Sequence, residues 1–534
     1  MALSHTGFLG DKLTGKHLEI AVCATASSGF LLFGYDQGVM SGIITEEQFV
    51  DLFPLMDQNY KSGAIQALVV AIYEIGCLLG SLFIICYGDK LGRRRAVIIG
   101  AIVMLIGTAI QCSSYSLAQL IVGRIVTGAG NGMNTSSIPV WQSEMAPPKI
   151  RGFLVLFEGA LITGGIMISY WINYGFFFAN SLGSAQWRLP IAFQAIFGIA
   201  LIIGVMALPE SPRWLLKHGK EVAAKDIIGR LYEKPADDPE VTKDVEEMKA
   251  INRLTSANKL TIKEFCSNGP EMNLWRAGVA WLAQMAQQVS GINLVTYYAT
   301  TVFQSSLGFD DALSRFLTAW NGTEYFIAAV VALFVVDRLG RRRLMIWGAA
   351  GMAGCLLIIG VCLSTGIKGA AYAATVFIFA FNSFFALGWL GTTWLYPAEV
   401  TPIRIRAEAN GLSTSANWLF NYLVVQLAPI MINTIAWKTY FVFMCTNLAF
   451  IPMVFFLFPE TNGYKLEKLD AIFAEAHEKG ENPVWTERRV RKGETLDVEK
   501  RLERESITGN PDGIPSAAHT DAGSDEEKHQ TETV

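Results

Sequence analysis

The chain reads as an all-α membrane protein: twelve transmembrane helices in two six-helix pseudo-repeats, joined by a cytoplasmic helical linker. Composition, the number of apolar stretches and an internal duplication predict this. Of 534 residues, 51% are hydrophobic and only 17% charged, with 32 Phe and 13 Trp, and the mean hydropathy is +0.34. Apolar stretches of about 20 residues, enough to cross a hydrocarbon core of about 30 Å, are centred near residues 30, 74, 104, 130, 165, 198, 288, 325, 354, 385, 420 and 447. Backbone polar groups find no water in lipid, so each stretch must be a helix. The duplication shows in Asp-basic-Leu-Gly-Arg-Arg-Arg, present as Asp89–Arg95 and again as Asp337–Arg343. Glu144 precedes Arg151 as Glu399 precedes Arg406, and Pro209-Glu210-Ser211 returns as Pro459-Glu460-Thr461, each roughly 250 residues later.

In chain order, a polar leader (1–17) without a cleavage-like site precedes the first bundle (18–210). A charged linker (211–272) follows, whose Val222–Tyr232 and Val241–Arg253 alternate charged and small apolar residues as short amphipathic helices do. The second bundle covers 273–460 and the tail 461–534, with a helical stretch at Leu466–Glu478. Beyond about Gly493 the tail holds too few large apolar residues to fold alone and is expected to be disordered. Short loops rich in Lys and Arg (Lys90–Arg95, Lys149–Arg151, Arg338–Arg343, Arg404–Arg406) place both termini and the linker in the cytoplasm, opposite Glu46, Glu47, Asp51 and Asp57.

Other classes find little support. The net charge of -4 sums two aqueous faces and an acidic tail, and no basic tract suits nucleic acid. Seven of eight cysteines lie in or beside apolar segments, as small packing residues do. There is no zinc-like spacing, catalytic triad or phosphate loop, so no enzyme, metal or cofactor is expected. Asn134-Thr135-Ser136 and Asn321-Gly322-Thr323 fall inside predicted spans, beyond glycosylation.

A doubled membrane bundle points to a secondary transporter with its site between the halves. Each basic motif follows a span; its glycine permits a tight turn, and its arginines can grip carboxylates bidentately. Glu144 and Glu399 end the fourth and tenth spans and are natural partners, forming latches that would hold the inward side shut. Topogenic charge explains one basic loop, but not two copies each followed by the same Glu–Arg spacing. Asp36 and Arg124 lie deep in apolar sequence, where mutual pairing is expected; Glu74, Glu158 and Glu324 are further acids within spans. Gln287, Gln288 and Asn293 supply amides, each both donor and acceptor for hydroxyls, and Gln284, Gln288 and Gly291 share one helical face.

From about Gly29 to Gly463 the chain resembles the sugar-porter family of the major facilitator superfamily. The resemblance rests on both basic motifs, Phe33-Gly34-Tyr35-Asp36, Gly123-Arg124, Pro209-Glu210-Ser211-Pro212-Arg213-Trp214, Gln287-Gln288-x-Ser290-Gly291-x-Asn293 and Pro459-Glu460-Thr461-x-Gly463. Phe33–Val39 and Trp141–Met145 look like fungal members. The resemblance implies substrate contact by Gln287, Gln288, Asn293, Trp394 and Asn417, with Phe385 and Trp418 nearby, and a gate at Tyr297 and Tyr298. It implies proton coupling through Asp36 and Arg124, a permanent ion pair being the alternative. The implied cytoplasmic latches use Asp89, Arg93, Arg94, Glu144, Arg151, Glu210 and Arg213, then Asp337, Arg341, Arg342, Glu399, Arg406 and Glu460.

Two positions where many hexose porters carry an amide are Gly159, beside Glu158, and Tyr325, beside Glu324. The tenth span reads Gly388-Trp389-Leu390-Gly391-Thr392-Thr393 in place of a proline-rich run. Ordinary glucose selectivity is therefore in doubt, and Glu158-Gly159 resembles the fungal glycerol–proton symporter branch. The expectation is a monomeric plasma-membrane monosaccharide–proton symporter working by alternating access, its partners a sugar or polyol, protons and the bilayer. A polyol or sugar-acid symporter, a passive uniporter and a non-transporting nutrient sensor are the alternatives.

Overall fold

Twelve helices, two of them interrupted, build the bundle: α1 (Gly15–Ile43), α2 (Ala64–Leu91), α3 (Arg93–Cys112), α4 (Leu117–Met145), α5 (Arg151–Phe177), α6 (Ala185–Ala207), α7 (Asn273–Val289, resuming as Ile292–Tyr297), α8 (Asp311–Leu339), α9 (Arg341–Ser364), α10 (Lys368–Phe385, resuming as Thr392–Val400), α11 (Arg406–Ile435) and α12 (Lys438–Leu457). The structure, a computed structural model, describes residues 7–9, 12–146, 151–257, 261–402 and 404–496. Most of the basic 149–151 loop, the Arg151 side chain and the tail beyond 496 lie outside the described residues.

Ten of the described helices are long and apolar enough to cross a membrane. The remaining two predicted spans are α4 and α7. The apolar run of α4 is broken by Arg124, Asn131, Asn134 and Gln142, all buried inside the bundle, and the first segment of α7 is 17 residues long. Both helices turn polar groups inward. On the outside the pattern reverses: Ile99, Ile102 and Ile106 of α3 and Ile196, Ile199 and Ile203 of α6 are exposed at helical spacing, forming apolar stripes that suit lipid.

Within the first half, α2 and α4 cross at very short range. Gly76 and Gly80 face Gly128 and Gly132, and a Cβ on Gly128 or Gly132 would strike the carbonyl of Tyr73 or Cys77. Small residues four apart let helix backbones approach where lipid gives no hydrophobic drive to associate. Between the halves, α2 packs on α11 and α5 on α8. The end bearing the basic loops is called inner below, and the opposite end outer.

The linker folds as Pro212–Lys217, Glu221–Tyr232, Pro239–Ala257 and Ile262–Phe265, so both anticipated amphipathic stretches are helical. Ala224 and Ile227 pack against Leu18 and Val22 of α1, while Ile228 meets Val241 and Val245. The tail contributes Leu466–Lys479 and an unanticipated second helix, Pro483–Arg491. All eight cysteines are free.

Candidate functional site

The break in α7 sets the site. Gly291 adopts φ +97°, and a Cβ there would meet Phe443, so only glycine allows this turn without strain. Asn447 of α12 donates to the freed Ser290 carbonyl at 2.8 Å. Opposite, α10 widens into a π-helical turn at Ala386–Leu390, a form that leaves carbonyls without their usual helical partner and recurs at functional sites. Gln287 Nε2 donates to two of these, Trp389 at 3.0 Å and Leu390 at 3.1 Å, and Gln284 Nε2 donates to Thr393 O at 3.0 Å.

The other ends of these amides interlock. Asn417 Nδ2 of α11 donates to Gln284 Oε1 at 2.6 Å and Gln287 Oε1 at 2.9 Å. Gln288 Nε2 donates to Gln287 Oε1 at 3.2 Å, and Asn293 Nδ2 to Gln288 Oε1 at 2.6 Å. Gln287, Gln288, Asn293 and Asn417 thus meet in one network, which also includes Gln284. Trp394 is half-buried, one turn from Gly391, whose added Cβ would contact Leu156 of α5. Phe385 rests against Tyr325 with ring centres 6.2 Å apart, and Trp418 packs edge-on to Phe33 at 5.7 Å. We expect Gln288→Ala to weaken substrate binding by about 1–3 kcal/mol, the cost of a buried hydrogen bond left unmade; an unchanged dissociation constant in a binding titration would remove it from the site.

The departures fall on the same interface. An added Cβ at Gly159 would sit 3.6 Å from Leu390, so this position faces the α10 turn across the halves and holds no side chain. Glu158 beside it is 7% exposed and makes no hydrogen bond among the described residues. Glu324 accepts from Ser383 of α10.

The Asp36–Arg124 pair lies wholly inside the first half, both residues 0% exposed, at 3.4 Å. Arg124 also donates to Val70 O at 3.0 Å and lies over the Tyr73 ring, 4.7 Å from its centre. Asp36 Oδ2 meets no hydrogen-bond partner within normal geometry among the described residues. The next residue of α2, Glu74, accepts from the Tyr297 hydroxyl on the outer segment of α7. Sequence reading named Glu74 only as one of several acids. Its partner lies 223 residues away, and no local pattern signals such a contact.

Tyr297 and Tyr298 are both fully buried. Tyr298 donates to Val425 O of α11 at 3.0 Å, while Tyr170 of α5 donates to Thr296 O and Thr300 N to Ser41 Oγ of α1 at 3.3 Å. Arg315 of α8 donates to Gly42 O and Thr45 Oγ1, each at 2.9 Å, and pairs with Glu46 at 2.9 Å. The bonds that join the halves therefore gather at the outer end, which is closed.

At the inner end each cluster closes within its own half. Arg93 grips Glu144 through two 3.0 Å bonds, and Arg341 reaches Glu399 at 3.0 Å and Asp337 at 2.9 Å. Glu210 accepts from the amides of Arg93 at 3.2 Å and Arg94 at 3.3 Å, as Glu460 does from those of Arg341 at 3.0 Å and Arg342 at 3.1 Å. Each carboxylate thereby caps a helix N-terminus, where amides and dipole favour negative charge. Asp89 pairs with Lys217 at 2.8 Å. Arg94 and Arg342 instead cap the ends of α6 and α12, donating to Met206 O at 3.0 Å and Phe455 O at 2.7 Å. Arg406 turns to Thr401 O at 3.0 Å rather than to Glu399, and Arg213 meets no carboxylate among the described residues. Among the described residues, the motif contacts in this conformation lie within each half rather than between the halves.

A family model described as "Sugar (and other) transporter" matches residues 22–473. The "Sugar transporter STL1" of Saccharomyces cerevisiae is 39% identical over 490 residues, covering 90% of this chain and 85% of that protein. The "MFS-type transporter oryC" of Aspergillus oryzae is 37% identical, covering 86% of each. Among solved structures, the proton:xylose symporter XylE bound to 6-bromo-6-deoxy-D-glucose superposes with a TM-score of 0.72 at 26% identity, over 85% of this chain and 99% of that one. With its bundle and interlocked amides, the chain belongs to the sugar transporter family of the major facilitator superfamily and is a multi-pass membrane sugar transporter.

Proposed function

We propose that this transporter carries a monosaccharide or polyol across the plasma membrane together with a proton, by alternating access, with both termini cytoplasmic. One observation carries the reading: the Asp36–Arg124 pair is linked to the outer gate through adjacent residues of α2. Tyr73 lies under the guanidinium and Glu74 holds Tyr297. Protonating Asp36 removes the charge that faces Arg124, which frees Arg124 to pull on α2 and hence on Tyr297. The amides of α7 and α11 grip hydroxyls, Trp394 offers a ring face, and the braces at Glu144, Glu210, Glu399 and Glu460 keep each half rigid as the two rock. The solved relative XylE is a proton:xylose symporter, which supports the coupling.

Gly159 and Tyr325 at the two expected amide positions favour a substrate other than glucose, a polyol, pentose or sugar acid. The buried 3.4 Å ion pair also suits a passive carrier, and one experiment separates the two. Adding substrate to cells in unbuffered medium should alkalinise the medium, and an uncoupler should abolish accumulation. Uptake with no proton signal and no uncoupler sensitivity would establish passive transport. Counterflow in vesicles against hexoses, pentoses, polyols and uronates identifies the cargo.

A further inference from the structure

At the inner end of the second half lies a cavity of about 260 Å³ that the transport site does not use. Its walls include Arg338, Arg342 and Arg343 of the second basic motif and Arg488 and Arg491 of the tail helix Pro483–Arg491, with Glu460 and Glu487. Both carboxylates are already engaged. Glu460 is taken up by main-chain amides, and Glu487 pairs with Arg491 at 2.6 Å and accepts from Tyr464 at 3.3 Å. Arg338, Arg342, Arg343 and Arg488 pair with no carboxylate among the described residues. Two of these cations share one ring: Arg342 and Arg488 lie 5.2 Å and 4.5 Å from the centre of Phe455.

Like charges held this close repel unless an anion joins them, and guanidinium groups match the oxygens of a phosphate. The rim indicates where that anion comes from. Phe455, Phe456 and Trp485 form an aromatic cluster with centres 5.0–6.4 Å apart and are 37%, 49% and 38% exposed. Aromatic rings of this kind anchor at a membrane–water interface, and basic clusters beside a span attract anionic headgroups. At the first basic motif Trp214 donates to Asp89 O at 2.7 Å and lies against Gly92.

We propose that this cavity binds a phosphorylated anion, supplied by the headgroup of an anionic phospholipid in the adjoining leaflet. The full-length protein in detergent is titrated with dioctanoyl phosphatidylinositol phosphate, dioctanoyl phosphatidylcholine or inositol bisphosphate while its thermal unfolding is followed. The phosphoinositide should raise the unfolding temperature saturably, and phosphatidylcholine should not. Arg338→Gln/Arg343→Gln removes two exposed charges whose side chains make no hydrogen bond or ion pair among the described residues. It should weaken half-saturation by roughly tenfold or more and leave the lipid-free unfolding temperature unchanged. Arg488→Gln, on the tail helix, should act in the same direction. Equal protection by inositol bisphosphate would keep the site and reassign its source to a soluble phosphate. Protection by neither, or protection that all the variants retain in full, overturns the proposal.

Discussion

Arg315→Met is expected to destabilise the closed outer end by about 3–5 kcal/mol, because it strands a buried carboxylate without its counter-charge. Arg315 is 3% exposed and Glu46 7%, and their 2.9 Å pair joins α8 to the loop after α1. A penalty of that size shifts the closed-to-open ratio by roughly two to four orders of magnitude. Thr300, 1% exposed at this closure, supplies the readout: Thr300→Cys should react slowly with an impermeant maleimide in the parent and at least tenfold faster with Arg315→Met. The double variant Glu46→Leu/Arg315→Met should close again, since replacing both partners removes the stranded charge. Equal labelling in all three backgrounds would show that the pair does not hold the gate. The pH dependence has a definite sign. Burial raises the Glu46 carboxyl from its ordinary 4.5, and Arg315 only partly opposes this. The closed form therefore binds the proton more readily than an open form with Glu46 in water. Closure of Arg315→Met should thus recover as pH falls through the raised value toward 4.5, and be weakest above it.

Asp36→Asn should abolish uphill accumulation while sparing downhill counterflow. A membrane potential of about 100 mV acting on one charge is worth about 2.3 kcal/mol, or roughly fiftyfold accumulation, and this is the quantity the variant should lose. Arg124 would keep its 3.0 Å bond to Val70 O and its place over Tyr73, so the bundle should still fold. Accumulation ratios in energised vesicles, with counterflow as the control, decide the matter. Undiminished accumulation would move coupling elsewhere, with Glu158 the next group to test.

The sequence was most informative where a pattern repeats or a residue type is out of place. The doubled basic motif located both halves, and charged or amide residues inside apolar runs pointed to Asp36, Arg124, Gln287, Gln288 and Asn293. The polar residues that marked α4 as unusual are the same ones that lower its hydropathy. What stayed hidden depends on tertiary contact. The π-helical turn of α10 has no local signature in Ala386–Leu390, since its carbonyls are met by amides arriving from α7. Glu74 with Tyr297 and Glu46 with Arg315 join residues whose separation no periodicity spans. The direction taken by Arg406 was hidden for a local reason: the Thr401 carbonyl, five residues back, competes with Glu399 at close range.

The wide turn in α10 also fixes a polarity. Main-chain carbonyls only accept, so Gln287 must turn its nitrogen toward Trp389 and Leu390 and its oxygen toward the other amides. Asn417 and Gln288 must then spend N–H groups on that oxygen, and Asn293 spends one on Gln288. The oxygens of Asn293 and Asn417 receive no hydrogen bond from the described residues. The network thus offers its cargo those two lone-pair-bearing oxygens beside the one N–H that Gln288 and Asn293 each retain. A sugar hydroxyl exchanged for an amine keeps a proton to offer, whereas the same hydroxyl exchanged for fluorine has none.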